Sequence, residues 1–388
     1  MVLSVLIVNY NVRYFLEHCL LSVLQSIEYM KSAEGWQTEV LVIDNDSHDN
    51  SLEYLQPLFP SVRFVQASKN LGFGKANNLI LKEASGKYVL FLNPDTLVAQ
   101  DCFLKTIRFM ESTPLAGACG VRMIDGSGNF LPESKRGFPG AWNSFSKMTG
   151  LIKIFPRSSV FAGYYEGHLD ELKTQEVSIL SGAWMMVRSS VLDKTGGFDE
   201  RFFMYAEDID LSYRIKLEGF ANYYFAETTI VHFKGESTSK DKIYTSRFYT
   251  AMIRFVQKHF TGAAASLYIV MLRAMIKFKT LAPGMGQELQ PMVTGSSLKT
   301  FATGDPGAIR VLSAIIKRSP GSVKVFSDEK QTADEIVFCL GDNFSVTDLV
   351  KRLESEYCPV KKIFHPRAGA IIGSHSKNNQ GSVEVLHR

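Results

Sequence analysis

What most constrains this chain is the alternation in its first hundred residues. Val2–Val8, Glu39–Ile43, Val62–Val65 and Lys87–Leu92 are short apolar runs, each followed by polar punctuation and then a helical pattern. Such βαβα alternation predicts an α/β fold with a doubly wound, mainly parallel sheet and helices on both faces. Sheets of this kind bind ligands beyond the carboxyl ends of their strands. The residues that follow each run are therefore where function is sought.

Three polar clusters stand there: Asn9-Tyr10-Asn11, the stretch from Asp44 to Asp49, and Asn93-Pro94-Asp95-Thr96. Any one of them also reads as a helix cap. Caps alone do not need so many carboxylates at one edge. Asp95 is placed to hold a divalent cation against phosphate oxygens, because hard cations take oxygen ligands. Asp44, at the end of the second run, is placed to accept hydrogen bonds from a base or ribose. The glycine-rich Asn70–Lys75 stretch fits neither the GxxxxGK[ST] nor the GxGxxG spacing, so both nucleotide fingerprints are rejected.

The 388 residues are enough for two or three domains, and 45% apolar content with 27 Phe and 15 Tyr rules out global disorder. Five scattered cysteines without a CxxC pair argue against a disulfide framework or thiolate zinc site and fit a reducing compartment. The amino-terminal apolar run is too short for a signal peptide or a membrane span. Charge is unevenly spread. Between Lys242 and Gly286 there are seven Lys/Arg and no Asp/Glu, against a net +4 for the whole chain, which points to an anionic surface such as phospholipid rather than nucleic acid.

Four units are expected: residues 1–240, a basic amphipathic segment 241–282, a Gly/Pro-rich linker 283–297, and a small α/β unit 298–388 with no assignable activity. Within the first, Asp125-Gly126 signals a hairpin, Gly137–Ser159 reads as a flexible loop, and Val177–Val187 as a strand. Glu207–Glu218 suits a partly buried helix, followed by two strands at Ala221–Ala226 and Thr229–Phe233. In the basic segment Tyr244, Phe248, Met252 and Phe255 recur at helical spacing while Arg247, Arg254 and Lys258 fall on another face. Such a helix suits a bilayer interface, and packing against the first unit is the alternative.

Several motifs in order resemble the inverting glycosyltransferases of family 2, with the GT-A fold, and their bacterial rhamnosyltransferase-like branch. They are Val8–Asn11, Val42–Asn45, Asn70–Asn78, Leu92–Asp95, Gly196–Tyr205, Glu207–Leu211 and His232, covering about residues 2–260. The resemblance implies a catalytic domain over residues 1–240 that uses Mg2+ or Mn2+ and a nucleoside diphosphate sugar. It implies donor binding by Asn9, Asn11, Asp44, Asn70, Gly72, Phe73, Asn77 and Asn93, and metal ligation by Asp95 and His232. Asn93 occupies the first acidic position of the family's DxD-type motif, so Asp95 bears more of the ligation. Asp208 is implied as the base that deprotonates the acceptor hydroxyl, with Glu207 and Asp210 as alternatives or orienting groups. Trp184 and Tyr205 are candidates for the acceptor sugar, with a place in the core as the alternative for Trp184.

These readings converge on transfer of a sugar, with rhamnose as the branch's donor sugar, to a lipid-linked or surface glycan. The enzyme is expected at the cytoplasmic face of the inner membrane, peripherally attached; the sequence leaves room for a homodimer. The rivals are a nucleotidyltransferase and a non-catalytic sugar-nucleotide scaffold.

Overall fold

The structure is a computed structural model that describes residues 1–234, 242–281, 299–318, 325–326, 333–356, 360–373 and 381–386. The proposed linker at 283–297 lies outside them, as does Cys358; the other four cysteines are buried and free.

The first unit runs β1 (Leu3–Asn9), α1 (Arg13–Glu34), β2 (Thr38–Asp44), α2 (Ser51–Leu55), β3 (Arg63–Gln66), α3 (Phe73–Leu81), β4 (Tyr88–Leu92), β5 (Thr96–Leu97), α4 (Cys102–Ser112) and β6 (Ala116–Ile124). It continues with α5 (Ala141–Thr149), α6 (Leu151–Ile154), β7 (Gln175–Val177), β8 (Trp184–Arg188), α7 (Ser189–Thr195), α8 (Glu207–Leu217) and β9 (Ala221–His232). These strands form one mainly parallel sheet in the order β3-β2-β1-β4-β8-β6-β9-β5, with β7 on β9. From β1 the chain winds outward to β2 and β3, then crosses back to β4 on the other side of β1. That reversal opens a crevice at the carboxyl ends of β1 and β4, where neighbouring connections leave in opposite directions.

β1 and β4 are buried along their whole length, which is why their sequences are continuous apolar runs rather than alternating ones. One face of the sheet packs on α1 and α4 through Leu16, Leu20, Phe103 and Ile107; the other takes Ala76 and Ile80 of α3 and Leu211 and Ile215 of α8.

Three expectations are corrected here. Gly137–Ser159 contains α5 and α6, with Gly150 in the left-handed conformation (φ 80°) serving as the cap between them. Val177–Val187 is two strands, because β7 pairs with β9 while β8 pairs with β4, and the chain must cross between them. The two strands expected near residue 225 are one, since β9 follows β6 on both sides of a bulge that absorbs Ala226–Thr228.

Two antiparallel-packed helices follow, α9 (Lys242–His259) and α10 (Ala263–Leu281). The apolar stripe of α9 is covered: Tyr249, Met252, Phe255 and Val256 share a core with Ile179, Phe202 and Ile209 of the first unit and Tyr268 and Leu272 of α10. Its cations are engaged too, Lys258 with Asp199 and Asp210 and Arg254 with the Arg201 carbonyl. The packing alternative therefore holds for α9, and its apolar face is not available to lipid. No helix among the described residues is long and apolar enough to cross a membrane.

The last unit comprises β10 (Lys299–Gly304), α11 (Pro306–Arg318), β11 (Val325–Phe326), β12 (Glu335–Cys339), α12 (Val346–Ser355), β13 (Lys361–Phe364), β14 (Ala370–Gly373) and β15 (Ser382–Val385). Its sheet, β11-β10-β12-β13-β14-β15, is separate, but its core is not. Ile336, Phe338, Leu340, Leu349 and Leu353 bury Phe15, Leu97, Val231 and Phe233 of the first unit in one apolar layer. Polar contacts ring that layer: Arg122 with Glu354 at 2.7 Å, Lys361 Nζ donating to the Ser127 carbonyl at 2.8 Å, and Gly369 N–H donating to Glu17 at 2.9 Å. Gly128, at φ 91°, has no room for a Cβ beside the Leu353 carbonyl.

Candidate active site

At the crevice lies a cleft of about 320 Å3 lined by residues from β1, β4, α8 and the loops around them. Its floor is built by the ends of β4 and β9. β5 pairs with β9 so that Thr96 opposes His232, which sets Asp95 Oδ1 3.4 Å from His232 Nε2. Asn93 Nδ2 is also 3.4 Å from that nitrogen. Asp95 is buried, and its Oδ1 has no hydrogen-bond partner. A buried carboxylate oxygen left without a donor is costly and calls for a cation or ligand. Among the described residues no three His, Cys, Asp or Glu side chains converge as a metal site.

One wall is made by the Asn70–Phe73 turn. Asn70 Oδ1 accepts from Asn45 Nδ2 at 3.1 Å and from the Gly72 N–H at 2.9 Å, while Asn45 Oδ1 accepts from the Leu71 N–H at 2.8 Å. Gly72, at φ 80°, lies so close to the Phe203 carbonyl that any Cβ would collide with it. That approach lets the Phe73 N–H donate to the same carbonyl at 3.0 Å, joining the turn to the segment that leads into α8.

The opposite wall carries the acids. Tyr205 and Ala206 both adopt left-handed conformations, φ 69° and 64°, and this strained turn starts α8 with Glu207 and Asp208 at the cleft. Asp208 is held from three sides. Arg136 pairs with its Oδ2, the Gly182 N–H donates to the same oxygen at 3.1 Å, and the Ile209 N–H donates to Oδ1 at 2.8 Å. Glu207 differs: its Oε2 is buried without a partner, and burial, reinforced by the neighbouring Asp208 charge, pushes its carboxyl up to about 8. At neutral pH that environment favours the protonated form of Glu207.

Similarity to known proteins accords with this geometry. The sequence profile of glycosyl transferase family 2 matches residues 4–196. The chain is 30% identical over 260 residues to the N-acetylglucosaminyl-diphospho-decaprenol L-rhamnosyltransferase of Mycobacterium tuberculosis, covering 62% of this chain and 78% of that protein. The chain belongs to glycosyl transferase family 2. It is accordingly an inverting nucleotide-sugar glycosyltransferase, and the nucleotidyltransferase alternative is not favoured. This glycosyltransferase is also 31% identical over 172 residues to rhamnosyltransferase WbbL of Escherichia coli K12, covering 42% of this chain and 61% of WbbL. Among solved structures, S. aureus TarS 1–349 in complex with UDP-GlcNAc overlays with a TM-score of 0.47 at 19% identity, covering 74% of this chain and 77% of that one.

Of the residues singled out from sequence, Asn70, Gly72, Phe73, Asn93, Tyr205, Glu207, Asp208 and His232 line the cleft, and Asp95 lies at its floor beside His232. Asn9, Asn11 and Asp44 stand behind the wall. Asn9 donates to Asp44 Oδ2 at 2.8 Å, Ser47 N–H donates to Asp44 Oδ1 at 2.9 Å, and Asn11 Oδ1 accepts from the His48 N–H at 2.7 Å. These three tie the β1 and β2 turns together, and it is Asn45 that faces the cleft.

Three residues are not where the sequence reading put them. Trp184 is 1% exposed and packs in the core, because β8 turns it away while the Ser181–Ala183 backbone borders the cleft. Asn77 is buried on α3, donating to the Phe73 carbonyl at 3.1 Å. Asp210 is fully buried in a separate ion cluster with Arg214 (2.7 Å), Lys258 (2.6 Å) and His259 (2.6 Å), two helix positions around from Asp208. Arg214 at i+4 is the sequence signal that sets Asp210 apart from Glu207 and Asp208.

Sequence reading missed the whole far rim. Glu133, Arg136, Lys147, Tyr164 and Tyr165 line the cleft, Lys147 from within the Gly137–Ser159 segment read as a flexible loop and the other four from its two flanks. Lys147 lies 3.6 Å from the Tyr164 ring centre and 5.0 Å from that of Tyr165, and burial holds its amine below the usual lysine range. Glu133 pairs with Lys234 across the mouth.

Proposed function

We propose that this cleft transfers rhamnose from a nucleoside diphosphate donor to a hydroxyl of a lipid-linked or polysaccharide acceptor at an anionic membrane surface. The activities by which the mycobacterial and E. coli relatives are named support the sugar, and the first also the acceptor class. The single observation that carries the chemistry is Asp208, a carboxylate fixed by Arg136 and two backbone N–H groups and open to the cleft.

An acceptor hydroxyl attacks the anomeric carbon from the face opposite the diphosphate, its proton passes to an Asp208 oxygen, and the bond from the anomeric carbon to the diphosphate oxygen breaks. One displacement inverts the centre. Arg136 fixes the direction of the carboxylate so that its free lone pairs point at the acceptor. Glu207, protonated, adds no second negative charge beside the base. Asp95 and His232, with Asn93 beside them, fit a divalent cation, Mg2+ or Mn2+, which when bound neutralises charge on the departing diphosphate. The Asn45–Asn70–Gly72 turn, backed by Asp44 and Asn9, forms the donor side.

The test is a screen of nucleotide sugars, including deoxythymidine diphosphate rhamnose and uridine diphosphate hexoses, with Mn2+ or Mg2+. Asp208→Asn is expected to lower transfer by about 10²- to 10⁴-fold while donor still raises the melting temperature. Full transfer by that variant removes Asp208 as base. Donor binding without turnover of any sugar by the unaltered protein favours the scaffold reading.

A further inference from the structure

The stretch from Lys135 to Tyr165, between β6 and β7 and flanked by Glu133 and Glu166, has a charge pattern as one-sided as that of α9 and α10. Residues 135–165 contain five Lys/Arg and no Asp/Glu. Its two helices split their side chains by face. α5 turns Lys147 inward to the cleft and Trp142 and Phe145 outward. Trp142, Phe145, Ile154, Phe155 and Val160 are between 40% and 67% exposed. They form one patch: the Trp142 ring lies 5.7 Å from Phe145 and 5.9 Å from Phe161, Phe155 lies 5.1 Å from Phe161, and Trp142 Nε1 donates to the Val160 carbonyl at 2.8 Å. Contiguous exposed aromatic and aliphatic surface on a folded protein marks an interaction site.

The patch is held rigidly. Ser144 and the Tyr268 hydroxyl are 2.5 Å apart, and Tyr268 donates to the Pro139 carbonyl at 2.8 Å, clamping α5 to α10. Lys153 and Arg157 flank the apolar residues and are exposed, with no carboxylate partner among the described residues. A Trp and Phe set at the level of free cations, with no acid in the segment, matches an interface whose interior is apolar and whose headgroups are negative. A second copy of the patch would bring like charges together.

We infer that the α5–α6 apex is a membrane-insertion surface for a bilayer bearing anionic headgroups. Trp142, Phe145, Ile154 and Phe155 enter the acyl boundary and Lys153 and Arg157 meet the phosphates. Because Lys147, Tyr164 and Tyr165 of the same segment line the cleft, docking this apex sets the cleft's far rim against the lipid surface, where a lipid-anchored hydroxyl is presented. The inference rests on the lipid-linked acceptor proposed above, and its test reads binding without turnover, so the two can fail separately.

The full-length protein is mixed with vesicles of phosphatidylcholine alone or with 30% phosphatidylglycerol (roughly the anionic content of a charged leaflet), and binding is read by flotation and by quenching of Trp emission with brominated lipid. Anionic vesicles are expected to bind and quench, and Trp142→Phe to remove most of the quenching, since Trp184 is in the core and Trp36 is partly buried against the core of the first unit. The Trp142→Ser, Phe145→Ser, Phe155→Ser triple variant is expected to lose at least about tenfold in partitioning, and Lys153→Gln with Arg157→Gln about threefold at low salt and less at high salt. Donor hydrolysis should be unchanged in both, which shows the cleft intact. Undiminished partitioning of the triple variant overturns the proposal. So does a dimer in sedimentation velocity that the triple variant disrupts while vesicle binding persists.

Discussion

At the carboxyl edge of the first sheet, Asp95 and Glu207 are buried with an oxygen that no donor reaches. At the corresponding edge of the second sheet, Asp305 is equally enclosed, yet both its oxygens are engaged: Oδ1 accepts from the Ala308 N–H at 2.8 Å, and Oδ2 from the Asn343 N–H at 3.1 Å and its Nδ2 at 3.0 Å. Those donors hold the Asp305 carboxyl below the usual carboxylate range. The two sheets share strand–helix grammar and an aspartate just past a central parallel strand. They differ in what is left unsatisfied. A carboxylate saturated by its own helix start is a cap and has reached its purpose in folding; one left short of a donor in a cleft is waiting for something the protein does not contain.

That contrast can be broken experimentally, beginning with its strongest claim. His232→Ala and Asp95→Asn should each cut metal-dependent transfer by about 10²-fold or more while leaving the circular dichroism spectrum and urea midpoint nearly unchanged. Equal activity in either variant would mean that the unsatisfied edge is not the reacting one. Phe338→Ala, in the layer between the sheets, should cost about 3–5 kcal/mol of stability by denaturant titration, with transfer per folded molecule retained at low temperature.

Glu207 supplies a pH signature. The fold keeps its carboxyl protonated up to about 8, whereas an unfolded chain loses that proton near 4.5, so the folded state binds more protons between these values. Stability from this group is complete below 4.5 and is lost as pH rises to 8. The urea midpoint of Glu207→Gln should therefore gain on that of the unaltered protein across this window; parallel curves would show the site to be hydrated. The smallest effect is expected at the second sheet. Asp305→Ala should cost about 1 kcal/mol through loss of a helix cap and leave transfer untouched. A drop in transfer there would place chemistry on both sheets.

The strands that carry the site were legible because burial on both faces leaves no room for polar residues: β1, β2 and β4 read as unbroken apolar runs. The Asn93–Asp95 cluster was legible as polar punctuation after such a strand, whereas Glu207–Asp208 was legible only through the family resemblance. The far rim was not. Gly137, Pro139, Gly140, Gly150 and Pro156 look like loop residues one by one, and only in space do they bracket α5 and α6 and bring Arg136 to Asp208. Nor does a run of acids at a helix start announce its own phase. Asp208 and Asp210 are separated by the helix turn, and their partners come from residues 136 and 258, far along the chain.

The layer shared by the sheets has a practical consequence. Phe233 adjoins His232 in sequence, and Leu97 stands two residues past Asp95; both rest on β12 and α12 of the second sheet. Anyone trimming this enzyme to its most family-like portion would pull away the foundation under Asp95 and His232, leaving a fragment whose greasy underside favours clumping over turnover. Chimeras that exchange donor specificity should accordingly carry residues 299–386 along as a matched base plate.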